Sequence, residues 1–313
     1  MRRLRLLVVL VLAAVVAALA SGCVASADGG GDVSGRQIRV TTTANFITDL
    51  AREIGGDRVE VTGLLGPGVD PHLYKASARD VQALRDADAI MYGGLELEGR
   101  MADLLEELSS RKPTVAVTRD MPESQLRRPS EFDGKVDPHV WFSVPLWRHA
   151  ATTTGEALAE IDPGSAGAYR ARARAYVAEL DALDAYVRER IASVPERSRV
   201  LITSHDAFGY FGREYDIDVV AIQGTSTQTE ATTADIERVA GVIADRGVKA
   251  VFLESAVSPQ TIDAVLAAAA PRGQEASVGG ELFADAAGDE GTPEGSYIGM
   301  VRYNADLIAA GLR

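Results

Sequence analysis

Apolar positions recur along this chain with two alternating periods. From residue 37 onward, short β-branched runs give way to stretches whose apolar residues step by three or four. The runs 38–42, 59–65, 89–92 and 114–117 predict four strands. Between them helices are predicted at 45–54, from a Ser77-Ala78-Arg79-Asp80 capping box to residue 87, and through Leu97, Met101, Leu104, Leu105 and Leu108. Residues 118–136 show no period, and a helix over 144–161 follows them. The alternation then resumes, with strands at 200–203, 219–222, 250–253 and 275–278. The second set of helices falls at 207–215, 234–245, 259–269 and 297–308. Alternation of this kind predicts parallel sheets covered on both faces.

Between the two halves, Tyr169, Ala173, Tyr176, Leu180, Leu183, Val187, Ile191 and Val194 form one unbroken apolar stripe. A helix filling 163–194 would run about 48 Å, longer than a small domain is wide. The expected fold class is therefore α/β, with two lobes, each a mostly parallel sheet flanked by helices, joined by one long helix. The expected boundaries are an N-terminal lobe at 36–162, the linking helix at 163–195 and a C-terminal lobe at 196–313.

The first 35 residues break the pattern. Arg2, Arg3 and Arg5 precede an apolar run over 6–20, short for a membrane span and suited to a signal peptide over 1–22. The run ends at Leu19-Ala20-Ser21-Gly22-Cys23, which resembles a bacterial lipobox, with Ala20 where leucine is usual. Cys23 is the only cysteine, so it has no disulfide partner within the chain and is the expected site of lipidation. Residues 23–35, rich in Ala, Ser, Gly and Asp, read as a flexible tether.

Composition is ordinary for a globular protein, 46% hydrophobic and 25% charged, with a formal charge of −13 over 313 residues. Beyond residue 22 the count is 29 basic against 45 acidic side chains, a balance of −16. That argues against nucleic acid as a partner.

The candidate chemistry lies in the histidines, of which there are four. Two sit in near-copies of one pentad, Asp70-Pro71-His72-Leu73-Tyr74 and Asp137-Pro138-His139-Val140-Trp141. A third, His205, lies just past a predicted strand. His72 and His139 also follow strands, on connecting loops. Parallel sheets bind ligands outside the carboxyl ends of their strands, so all three can face one crevice. Imidazole is the commonest protein ligand for divalent transition metals. His149, inside a predicted helix beside Trp147, reads as a surface or packing residue. Three imidazoles leave one position at a tetrahedral ion. A carboxylate there would close the site, and Asp285, past the last strand, is the candidate; Glu281, Asp289, Glu254 and Glu230 also follow strands and stay open as alternatives. Asp70 and Asp137 are either turn formers or acceptors that orient the imidazoles.

The two pentads join Ser204-His205-Asp206-Ala207-Phe208-Gly209-Tyr210-Phe211, Gly279-Gly280-Glu281-Leu282-Phe283-Ala284-Asp285 and Gly295-Ser296-Tyr297-Ile298-Gly299-Met300-Val301. In this combination the chain resembles the zinc/manganese substrate-binding lipoproteins of ABC importers, the cluster A-I or TroA-like type. The resemblance covers nearly all of the chain beyond the signal segment. It implies two α/β lobes on one rigid helix, with a divalent transition metal, Zn or Mn, between them. It implies His72, His139, His205 and Asp285 as ligands, no catalytic residues, and an ABC permease with its ATPase as partners. It also implies a lipid-anchored monomer on the extracytoplasmic face of a bacterial membrane. Residues 118–136 lack the histidine-rich loop of many zinc members, and the third ligand is His205 where some manganese members have glutamate. Two alternatives compete: a metal-dependent hydrolase with Glu281 or Glu254 as general base, and a surface adhesin in which the metal is structural.

Overall fold

The computed structural model describes residue 33 and residues 35–313. The expected signal peptide, Cys23 and nearly all of the tether lie outside the described residues. Among the described residues, no helix is long and apolar enough to cross a membrane.

The first half is built on Ile38–Thr42 (β1), Val59–Gly63 (β2), Ala89–Tyr92 (β3) and Thr114–Ala116 (β4). They form one parallel sheet in the order β2-β1-β3-β4. Helices Asn45–Gly55 (α1), Ala78–Asp86 (α2) and Ala102–Ser109 (α3) connect the strands. The predicted capping box on α2 is present, with Ser77 accepting from the Asp80 backbone and Asp80 from that of Ser77. Val144–Ile161 (α4) follows, started by Ser143 as N-cap and Pro145 in its first turn.

The second half comprises Val200–Thr203 (β5), Asp218–Ala221 (β6), Ala250–Glu254 (β7) and Ser277–Leu282 (β8). β5 pairs with β6 and β7 with β8, both in parallel, and β5 lies beside β7. The spatial order β6-β5-β7-β8 thus repeats that of the first half. Helices Gly209–Tyr215 (α6), Thr233–Arg246 (α7), Gln260–Ala269 (α8) and Tyr297–Gly311 (α9) complete it.

Several elements differ from the expectation. Helix α3, expected from Leu97, begins at Ala102 behind a 3-10 turn at Gly99–Met101. The long helix, Ala166–Ala192 (α5), has 27 residues, or about 40 Å. Its expected first turn is wound as a 3-10 turn at Pro163–Ser165, preceded by Asp162, whose carboxylate accepts from Arg58 and from the Tyr169 hydroxyl. β8 starts later than expected and runs through Gly279-Gly280, which the sequence suggested as its end. The register to β7 slips there, from Val251↔Val278 to Phe252↔Gly280. Gly279 is the extra residue of a β-bulge, and Gly280 has φ +143°.

All eight stripe residues are buried, seven of them on the long helix and Val194 just past its end. They pack on α1 and α4 from the first half and on α9 from the second. One apolar core, from Ile38 and Phe46 through Trp147, Tyr169 and Leu183 to Phe252, Tyr297 and Ile308, therefore runs through both halves. A second cluster lies between β5, β7, α7 and α8, and a third under α2 and α3.

Candidate metal centre

The loops leaving the carboxyl ends of the strands bring the four expected residues together. His72 comes from the loop after β2, His139 from the segment after β4, His205 from two residues past β5, and Asp285 from three residues past β8. Their candidate ligand atoms all lie within 4.8 Å of one another. The histidines are 0% exposed and Asp285 is 1% exposed.

The spacing has a specific shape. Nε2 of His139 is 3.2 Å from Nε2 of His72 and 3.3 Å from Nε2 of His205. Asp285 Oδ2 is 3.6 Å from His72 Nε2 and 3.4 Å from His205 Nε2, and Oδ1 is 3.4 Å from His139 Nε2. Ligands about 2.0–2.2 Å from a tetrahedral ion stand about 3.3–3.6 Å apart. These separations are therefore the edges of one small coordination polyhedron. Neither Asp285 oxygen has a hydrogen-bond partner, although both are buried. A buried carboxylate without donors is costly, and a cation among these four groups would satisfy it.

The imidazoles are oriented differently. His139 has Nδ1 2.7 Å from Asp137 Oδ1, and the same oxygen accepts its backbone N–H at 3.0 Å. Asp137 Oδ2 accepts from Arg127, and the Asp137 carbonyl accepts from the Tyr210 hydroxyl at 2.9 Å. His205 has Nδ1 against Glu254 Oε2, while Glu254 Oε1 accepts its backbone N–H at 2.9 Å. With Nδ1–H donated to a carboxylate, Nε2 presents its lone pair to the centre. His72 lacks such support: its Nδ1 is buried without a partner, and Asp70 reaches only its backbone N–H, at 2.8 Å. The twin aspartates thus divide the two roles expected of them. Asp137 orients its imidazole, whereas Asp70 shapes the turn.

Electrostatics follow this asymmetry. Burial opposes charge on His139, but the hydrogen bond to Asp137 and the nearby Asp285 carboxylate outweigh it and raise its pKa to about 9. Burial likewise opposes charge on His205, and the Glu254 and Asp285 carboxylates raise its pKa well above the ordinary value. His72 is lowered to about 3, chiefly by burial. Burial would raise Asp285, but the surrounding imidazoles, His205 foremost, hold it well below the usual carboxylate range.

The backbone carrying Asp285 is pinned from three sides. Asn304 on α9 bonds both the N–H and the carbonyl of Phe283. Trp141 Nε1 donates to the Ala284 carbonyl at 3.0 Å. Asn45 on α1 bonds both polar groups of Ala287, each at 2.8 Å. Sequence reasoning missed Asn45, Asn304 and Arg127, since no local spacing joins them to a ligand. Trp141 and Tyr210 stood inside the quoted motifs, without a role. Of the other carboxylates, Glu254 supports His205, while Glu281, Asp289 and Glu230 are exposed. His149 is half-buried on α4 and outside the group.

Comparison with known proteins places this arrangement. A family model described as ZnuA, zinc-uptake complex component A, periplasmic, matches residues 40–311. The chain belongs to this family. It is 43% identical over 294 residues to the manganese-binding lipoprotein MntA of Bacillus subtilis, covering 94% of this chain and 95% of that one. It is 45% identical over 273 residues to the zinc-binding protein TroA of Treponema pallidum, covering 87% and 88%. The solved structure of periplasmic TroA from that organism superposes with a TM-score of 0.86 at 44% identity, over 88% of this chain and 99% of that one. The expected family resemblance and the α/β fold with two lobes on one long helix are thereby borne out.

Proposed function

We propose that this protein captures a divalent transition metal, Zn or Mn, between two lobes and delivers it to an ABC permease. The observation that carries the reading is the buried set of His72, His139, His205 and Asp285, spaced as the edges of a coordination polyhedron, with both Asp285 oxygens otherwise unpartnered. The relatives named above, one manganese-binding and one zinc-binding, support the same class of cargo. Asp285 turns one oxygen toward His139 and the other toward His72 and His205. Its carboxylate can serve with one oxygen or two, which suits four-coordinate zinc as well as a metal taking five donors.

In this reading residues 36–162 and 196–313 are the two lobes and 163–195 the link. Cys23 carries a lipid that holds the protein, as a monomer, at the extracytoplasmic face of the membrane. The protein is not an enzyme. Catalytic metal sites keep a water position and a free base. Here the fourth position faces a carboxylate, Glu254 is engaged by His205, and Glu281 is exposed on β8.

The test is the Asp285→Ala variant, with metal content by elemental analysis and affinity by calorimetry. Loss of Zn and Mn binding at least as severe as for His139→Ala is expected. Full retention of metal, or turnover of ester or phosphoester substrates by the wild-type protein, would overturn the reading. Elemental analysis of protein purified from its native envelope identifies the cargo.

A further inference from the structure

The three imidazoles differ in what holds them, and the difference points to one side of the site. His139 and His205 are each fixed at Nδ1 by a buried carboxylate. His72 has no such partner, so its ring position depends on its backbone. That backbone lies in an irregular loop between β2 and α2, followed at once by Leu73, 39% exposed. Inside the loop, Asp70 Oδ1 accepts the His72 N–H at 2.8 Å.

Asp70 is itself held from the other half of the molecule. The Thr227 hydroxyl, in the loop between β6 and α7, donates to Asp70 Oδ2 at 2.6 Å. Gln228 Nε2 reaches the His72 carbonyl at 3.4 Å, long for such a bond. Among the described residues these are the only hydrogen bonds from the second half to the segment 64–77. Asp285 is tied across the halves more densely, by Trp141 to Ala284 and by two bonds of Asn45 to Ala287, while Tyr210 reaches the Asp137 that holds His139 and Arg127 pairs with Asp206 beside His205.

We propose that Thr227 is a positioning residue for the metal ligand His72, acting through Asp70, and that the metal leaves by release of this single latch. This rests on the proposed function. A short hydrogen bond to a carboxylate is among the stronger kinds, and here one such bond spans the halves at this loop. Breaking it frees the segment carrying the least supported imidazole, while His139, His205 and Asp285 stay in place. A ligand set that dissolves from one side requires little motion of the lobes.

The test uses the whole protein loaded with Zn²⁺ or Mn²⁺ and challenged with excess chelator in stopped flow. Thr227→Val keeps the side-chain shape and removes the hydroxyl. A dissociation rate about tenfold faster is expected, with thermal stability of the metal-free protein unchanged and the wild-type rate restored in Thr227→Ser. With Co²⁺ as probe, the d–d spectrum of Thr227→Val should shift toward that of His72→Ala. A Thr227→Val protein that releases metal at the wild-type rate overturns the proposal. So does one whose metal-free form is destabilised while its dissociation rate is unchanged, which marks Thr227 as a merely structural residue. If the wild-type protein takes up no metal, the proposed function itself fails, an outcome distinct from either.

Discussion

Glu254 faces the Nδ1 of His205 from the last residue of β7, and its other oxygen holds the His205 backbone. A carboxylate behind a ligating imidazole fixes the ring and raises its basicity, and its loss typically weakens metal binding about 10–100-fold. Glu254→Gln should therefore lower affinity for Zn or Mn by about that factor in calorimetric titration, although it touches no metal; unchanged affinity would show that β7 only fills space here. The same carboxylates set the pH dependence. An unperturbed imidazole predicts that affinity falls below about pH 6.5. The site moves that window upward, because His139 holds its proton until about pH 9, while His72, lowered to about 3, is already neutral. Metal must displace the His139 proton, so affinity should climb between about pH 6.5 and 9. Calorimetry at pH 7.5 in two buffers of unlike ionisation enthalpy should show at least one proton released per metal. For the metal-free fold the sign is opposite. A raised histidine pKa contributes stability that is fully present below the unfolded value and is lost as pH rises through about 9.

At the scale of elements, the part of the fold that organises the site was mostly legible. Strands β1, β3 and β5 and the stripe of α5 follow from period alone, since each buries a continuous apolar face. The histidines stood out because the pentad repeats and because each follows a strand. What escaped the pattern was made by side chains meeting across long separations, such as Arg127 on Asp137 or Asn45 on Ala287, and by the bulge in β8. Gly279-Gly280 reads as a strand end because glycine usually interrupts a strand, yet here it re-aims the strand toward Asp285. A side chain on Gly280 would sit at φ +143° and meet Leu307 of α9 at 2.7 Å. Gly280→Val should cost about 1–3 kcal/mol of folding stability in urea titration. Because β8 carries the Asp285 loop, it should weaken metal binding as well. A stable variant with normal affinity would mean that the bulge does not place the ligand.

Across the whole molecule, the division of ligands between halves is less even than the chain order suggests. Asp285 belongs by sequence to the second half, yet Trp141 and Asn45 of the first half hold the backbone on either side of it. Asp49 of α1 accepts the Tyr297 N–H at the start of α9, and the Tyr297 hydroxyl donates to the Trp141 carbonyl. These ties lie on the core that α5 shares with both halves, so wide separation of the lobes would expose apolar surface along that helix. Metal exchange should therefore be local. Removing the metal should speed backbone hydrogen exchange in segments 64–77 and 223–231, where few bonds cross, and leave the buried stripe of α5 protected. Small-angle scattering should give the same radius of gyration with and without metal. Uniformly faster exchange along α5, or a measurable expansion on metal removal, would show instead that the lobes part as rigid bodies and that the shared core opens with them.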